Sequence, residues 1–121
     1  MGFETGEGVG LRPIWAKGAE AMRFEFDWNP AKAQSNRAKH DVTFDQAMGV
    51  FADPLALSRL DDEHGSDEER WITLGRSSAG RLLLVVHTHT EPSDDRMAIR
   101  IVSARQATRR EARQYEEGSE S

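Results

Sequence analysis

The chain has 121 residues, of which 37% are hydrophobic and 31% charged, with a formal net charge of -5. That length leaves room for one small core, and the balance is that of a globular domain, with no apolar run long enough to span a bilayer. There is no cysteine, which removes disulfides, thiolate nucleophiles and cysteine-based zinc sites and leaves chemistry to histidine, arginine, lysine, acids, hydroxyls or the single tyrosine.

Residues 1–22 carry five glycines and scattered charges and lack the basic-then-apolar pattern of a secretory signal. They are expected to form a flexible leader ahead of one domain over residues 23–118, with a disordered tail at 119–121 and a cytoplasmic location. The first domain segment, RFEFDW, alternates charged and aromatic residues, which predicts a half-buried strand with Phe24, Phe26 and Trp28 on one side. Asn29-Pro30 supplies an N-cap and a proline at the first helical position, so AKAQSNRAKH continues as a helix to about His40. Its weak alanine face suits it to cover one side of a sheet.

Thr43 and Gln46 have capping-box spacing, and Phe44, Ala47, Met48 and Phe51 recur at helical intervals, giving a second helix stopped by Asp53-Pro54. A short edge strand around residues 55–60 and an acidic loop after it follow. Trp71 to Leu74 predicts a strand ended by Gly75, and LLLVV from Leu82 predicts a central strand covered on both faces. After a turn around Pro92, MAIRIVSA from Met97 predicts the last strand, with Met97, Ile99 and Ile101 on one face and Arg100 on the other. Thr108 and Glu111 open a final helix with a second capping box. The order predicts an α+β fold, a small antiparallel sheet with two N-terminal helices and one C-terminal helix.

Charge is unevenly spread. Residues 23–115 hold 14 basic and 15 acidic residues, yet Arg96, Arg100, Arg105, Arg109, Arg110 and Arg113 crowd into 18 positions whose only acid is Glu111. Arg109 and Arg110 would begin the final helix, its positive end, where a cation costs up to about 1 kcal/mol. The same end binds anions through free N–H groups, so these two guanidiniums with Arg105 suggest a phosphate-binding corner. The competing reading is a solvated surface whose arginines pair with Glu111, Glu116 and the acidic loop. Arg100 lies in an otherwise apolar strand, where its charge needs an anion or an acid opposite it.

The stretches RIVSARQATRREARQYEEG and FEFDWNPAKAQSNRAKHDVTF resemble the C-terminal and N-terminal signatures of BrnT-type toxins of type II toxin-antitoxin modules. Between them FADPLAL, DDEHGSDEERWITLG and GRLLLVVHT match in order and spacing, so the resemblance covers residues 23–118. Asp41 departs from it, standing where the family usually has glycine, which should leave that helix end less relaxed. The resemblance implies a RelE-like microbial ribonuclease architecture and RNA cleavage that inhibits translation. It also implies neutralisation by a cognate BrnA-type antitoxin, in a complex that represses its operon. Contact with DNA is expected only through that antitoxin, since this chain shows no helix-turn-helix pattern and its core charge is poor for duplex binding.

Metal-free cleavage through the 2′-hydroxyl needs a base for that hydroxyl, donors around the phosphate and an acid for the leaving 5′-oxygen. Arginine suits the phosphate. The expected catalytic set is His40, Arg100, Arg105 and Glu69, and the expected RNA-binding set is Arg70, Arg76, Ser103, Arg109, Arg110 and Tyr115. His40 leads the proton-transfer candidates because Lys39-His40 falls within the family pattern; His64, His87, His89 and Tyr115 are the others. His87 and His89 share a strand face, but two ligands make no metal site without a third, and neither metal nor cofactor is expected. The alternative function is a non-catalytic antitoxin-binding module whose nuclease activity has decayed.

Overall fold

Each helix begins where its capping residues dictate. Asn29 Oδ1 accepts the Ala31 N–H at 2.8 Å ahead of α1 (Pro30–His40). Reciprocal side-chain and backbone bonds between Thr43 and Gln46 open α2 (Phe44–Met48), which tightens into a 3-10 turn over Gly49–Ala52. The same box, Thr108 with Glu111, opens α3 (Arg109–Glu117). α1 ends on Asp41 at φ 57 and ψ 38, a left-handed conformation that a non-glycine residue adopts at a cost of about 1–2 kcal/mol.

Five strands form one sheet: β1 (Arg23–Trp28), β2 (Leu57–Leu60), β3 (Trp71–Arg76), β4 (Leu82–Ser93) and β5 (Arg96–Gln106), in the order β1-β5-β4-β3-β2. The computed structural model describes residues 23–61 and 69–118; the expected leader, the tail and most of the acidic loop, His64 included, lie outside them. The sheet is mixed rather than antiparallel as expected, because β1 runs parallel to β5 while every other pair is antiparallel. The helices after β1 carry the chain to the far edge before it re-enters as β2, so the neighbour of β1 is the last strand. Hydrophobic periodicity reports which face a strand buries and carries no information on its direction.

Two strand ends also differ from expectation. β3 continues through Gly75 to Arg76, because that glycine serves packing: a Cβ there would come within 2.9 Å of Val50 Cγ1. β4 runs on to Ser93, and Pro92 is accommodated by a register shift between Thr90 and Ser93, the kind of irregularity at which a strand tolerates proline.

On the inner face, Phe24, Phe26, Trp28, Leu83, Val85, Met97, Ile99 and Ile101 pack against Val42, Phe44, Ala47, Val50 and Phe51 from the helical layer. Fully burying a side chain such as Phe44 contributes roughly 1.5–3 kcal/mol. Asn36, buried on α1, locks that layer to the sheet: its amide donates to the Val42 and Ala104 carbonyls at 3.0 and 2.8 Å and accepts the Ala104 N–H at 3.0 Å. On the outer face α3 sets Tyr115 over Leu57, Ile72, Leu74 and Leu84. Among the described residues no helix covers the β1–β5 half of that face.

Candidate functional site

The site is shaped by an irregularity in β5. Val86 pairs with Ser103 but the next residue, His87, pairs with Ile101, so Val102 is an extra residue in the ladder. In a regular strand residues five apart point to opposite faces. The bulge cancels one step, so Arg100, Ser103 and Arg105 all reach the outer face while Ile101 and Ala104 stay in the inner core. Such bulges re-aim side chains.

Beyond α3 the outer face forms a transverse row. Asp27 pairs in register with Arg100, and Arg100 with Thr88. Arg70 immediately precedes β3, its carbonyl accepting the Asp61 N–H at 2.7 Å. Arg100 donates through Nη1 to Asp27 Oδ2, with the two side chains 48% and 69% exposed. A pair this wet is worth less than about 1 kcal/mol to folding. Arg70 is half-buried, and its Nε is buried with no hydrogen-bond partner among the described residues, an arrangement costly for a charged donor. Beside the row lies an open trough of about 290 Å³, lined by Glu25, Asp27, Thr88, Thr90, Ala98 and Arg100 among others.

The remaining arginines gather at the α3 end. Arg105 makes a bidentate pair with Glu111 through Nη1 and Nη2, at 2.9 and 3.0 Å. Burial raises the Glu111 pKa, and the Arg105 and Thr108 hydrogen bonds more than offset it, so the net shift is downward. The expected phosphate corner is thus partly filled by a carboxylate of the chain itself. Arg109 and Arg110 are exposed on the first turn of α3. Arg76 lies 5.4 Å over the Tyr115 ring and donates to the Gly80 carbonyl, while the Tyr115 hydroxyl donates to Asp53 Oδ2 at 2.7 Å. Burial and then Asp53 push the Tyr115 pKa up to about 12, so this hydroxyl is a poor proton donor near neutrality.

Of the described proton-transfer candidates, Tyr115 lies on this face and His89 lines the trough, while the others lie elsewhere. His40 is exposed at the end of α1, in the layer on the opposite side of the sheet. Glu69, exposed one residue before Arg70, is displaced from the outward alternation and acts on His89. His87 is fully buried in the inner core, its Nε2 2.7 Å from Thr73 Oγ1, which is in turn 2.7 Å from Ser58 Oγ. Burial, then the nearby His89, pushes its pKa down to about 3. His89 stacks near Trp71, 5.1 Å between ring centres, and burial lowers its pKa against the opposing pull of Glu91 and Glu69. Among the described residues no three His, Asp or Glu side chains are grouped to hold a metal ion, and no helix there is long and apolar enough to cross a membrane.

Sequence reasoning missed Asp27, Thr88 and Asn36. Asp27 was legible as the outward residue of an alternating strand, but its partner depends on β1 lying beside β5.

The described residues form a small α+β domain that carries Arg100 and Arg105 on one face of its sheet. A family model described as the ribonuclease toxin, BrnT, of type II toxin-antitoxin systems matches residues 28–111, and the chain belongs to that family. Membership implies an antitoxin as its partner. Among solved structures, the 1.1 Å crystal structure of the Brucella abortus ribonuclease toxin BrnT is similar, at 20% identity and a TM-score of 0.48, over 73% of this chain and 100% of that one. No curated protein matches the chain.

Proposed function

We propose that the chain is a metal-independent endoribonuclease that inhibits translation and is neutralised by a BrnA-type antitoxin, in a complex that also represses their operon. The observation that supports this reading is the bulge at Val102, which brings Arg100, Ser103 and Arg105 onto one face of the sheet. Arg100, in register with Thr88, and Arg70 bind the scissile phosphate and stabilise the charge that builds on its oxygens in the pentavalent state. Ser103, one row nearer α3, donates to the chain of RNA phosphates. Arg105, Arg109 and Arg110 extend the positive track towards α3, with Arg76 and Tyr115 at its end.

The test is induction of the full chain beside its Arg100→Ala variant, with growth and cellular RNA integrity followed and cleavage by purified protein assayed in EDTA. The full chain should arrest growth and cut RNA in EDTA, and the variant, whose arginine is half-exposed, should stay folded and lose roughly 100-fold or more in cleavage. A folded full chain that neither arrests growth nor cuts RNA leaves the antitoxin-binding module as the function.

A further inference from the structure

Asp27 packs against nothing in the core. It projects from β1 beside the trough, and its described partner is Arg100. Arg100 gives it a single N–H, from Nη1, of the five that a guanidinium carries. Among the described residues nothing else bonds the rest of that planar group, and a phosphate seated there stands beside the Asp27 carboxylate. An attacking 2′-oxygen lies about 3–3.5 Å from phosphorus at the moment of reaction. It therefore falls within reach of a carboxylate that shares the phosphate's own guanidinium.

Among the described residues the other candidates are placed less directly. His40 ends a helix on the far side of the sheet and His87 is buried in the inner core, His89 lines the trough but sets its ring 5.1 Å from that of Trp71, and the Tyr115 hydroxyl is held by Asp53. Glu25, the next outward residue of β1, pairs with Arg96 at 3.4 Å and faces Ala98 rather than a phosphate ligand. An acid placed directly against a phosphate-binding arginine opposes RNA binding unless it does something else.

We infer that Asp27 is the proton acceptor for the attacking 2′-hydroxyl, on the phosphate held by Arg100, an assignment that rests on the ribonuclease reading. The carboxylate takes the 2′-hydroxyl proton as the 2′-oxygen bonds to phosphorus. The bond from phosphorus to the 5′-oxygen breaks, the leaving oxygen takes a proton from water in the open trough, and Asp27 returns its proton to solvent. The products are a 2′,3′-cyclic phosphate and a 5′-hydroxyl.

The experiment compares the purified full chain with Asp27→Asn, Asp27→Glu and Arg100→Ala on a single-stranded mixed-sequence RNA oligonucleotide, with binding measured on its uncleavable 2′-O-methyl counterpart. Asparagine keeps an oxygen for Arg100 but accepts no proton. Asp27→Asn should therefore lose about 100-fold or more in kcat with KM and 2′-O-methyl RNA affinity little changed. Asp27→Glu should recover part of the lost kcat, and Arg100→Ala should lose binding. A parental kcat in Asp27→Asn, or a loss of 2′-O-methyl RNA binding equal to its loss of kcat, reduces Asp27 to a residue that holds Arg100 and overturns the assignment. Failure of Asp27→Glu to exceed Asp27→Asn also overturns it. A parent protein that binds the RNA but cuts none of it sinks the ribonuclease reading itself, a result distinct from the other two.

Discussion

Asn36 is the residue on which the two layers depend most directly. Its side chain answers two carbonyls and one N–H of the backbone, all buried, and leaving such groups unsatisfied costs about 1–3 kcal/mol each. Asn36→Ala should lower the unfolding free energy by about 3 kcal/mol or more, measured by urea denaturation; a loss under about 1 kcal/mol would mean that water replaces the amide without penalty. Nothing in a helix pattern marks this asparagine, since among polar neighbours it reads as a solvent-facing residue. Its importance comes from Ala104, 68 positions away. Asp41, by contrast, was legible: the helix end that lacks its usual glycine is the one at which a non-glycine residue takes a positive φ.

At the scale of elements, α3 was the most legible piece and its arginines the least. The capping box announced its start, and the start is where the box places it. What the spacing did not reveal is that Arg105, read as a phosphate ligand, is also the brace of this helix. Glu111 is 3% exposed and both of its carboxylate oxygens bind Arg105. Removing one partner of a fully buried pair costs about 3–5 kcal/mol. With the Arg105 side chain 39% exposed, Arg105→Ala should cost roughly 2 kcal/mol, whereas Arg109→Ala on the same helix should stay within about 0.5 kcal/mol of the parent. Urea unfolding followed by circular dichroism distinguishes them, and equal midpoints would show that the brace carries no load. Any loss of RNA cleavage in Arg105→Ala has to be read against that stability change.

The molecule as a whole should be acid-sensitive through its inner core. His87 is neutral and buried when folded, with a pKa near 3, and takes up a proton near 6.5 when unfolded. Between those values the unfolded state binds more protons, so stability falls as pH drops, by up to about 1.4 kcal/mol per pH unit. His89, also shifted downward, adds to the fall in the same sense. Unfolding free energy should thus decrease by about 2 kcal/mol from pH 7 to pH 5, and His87→Gln should remove most of that decrease. An unchanged pH slope in the variant would place the acid sensitivity elsewhere.

The sequence by itself determined the elements and their inward faces, because caps, turns and hydrophobic periodicity act over a few residues. It also determined the family, through ordered motifs that persist along the chain. The direction of β1, the grouping of Arg100 with Ser103 and Arg105 and the meeting of Asp27 with Arg100 were decided only in three dimensions. Each depends on which strands become neighbours and on one extra residue in β5, and a bulge is a property of a pair of strands that neither one carries alone.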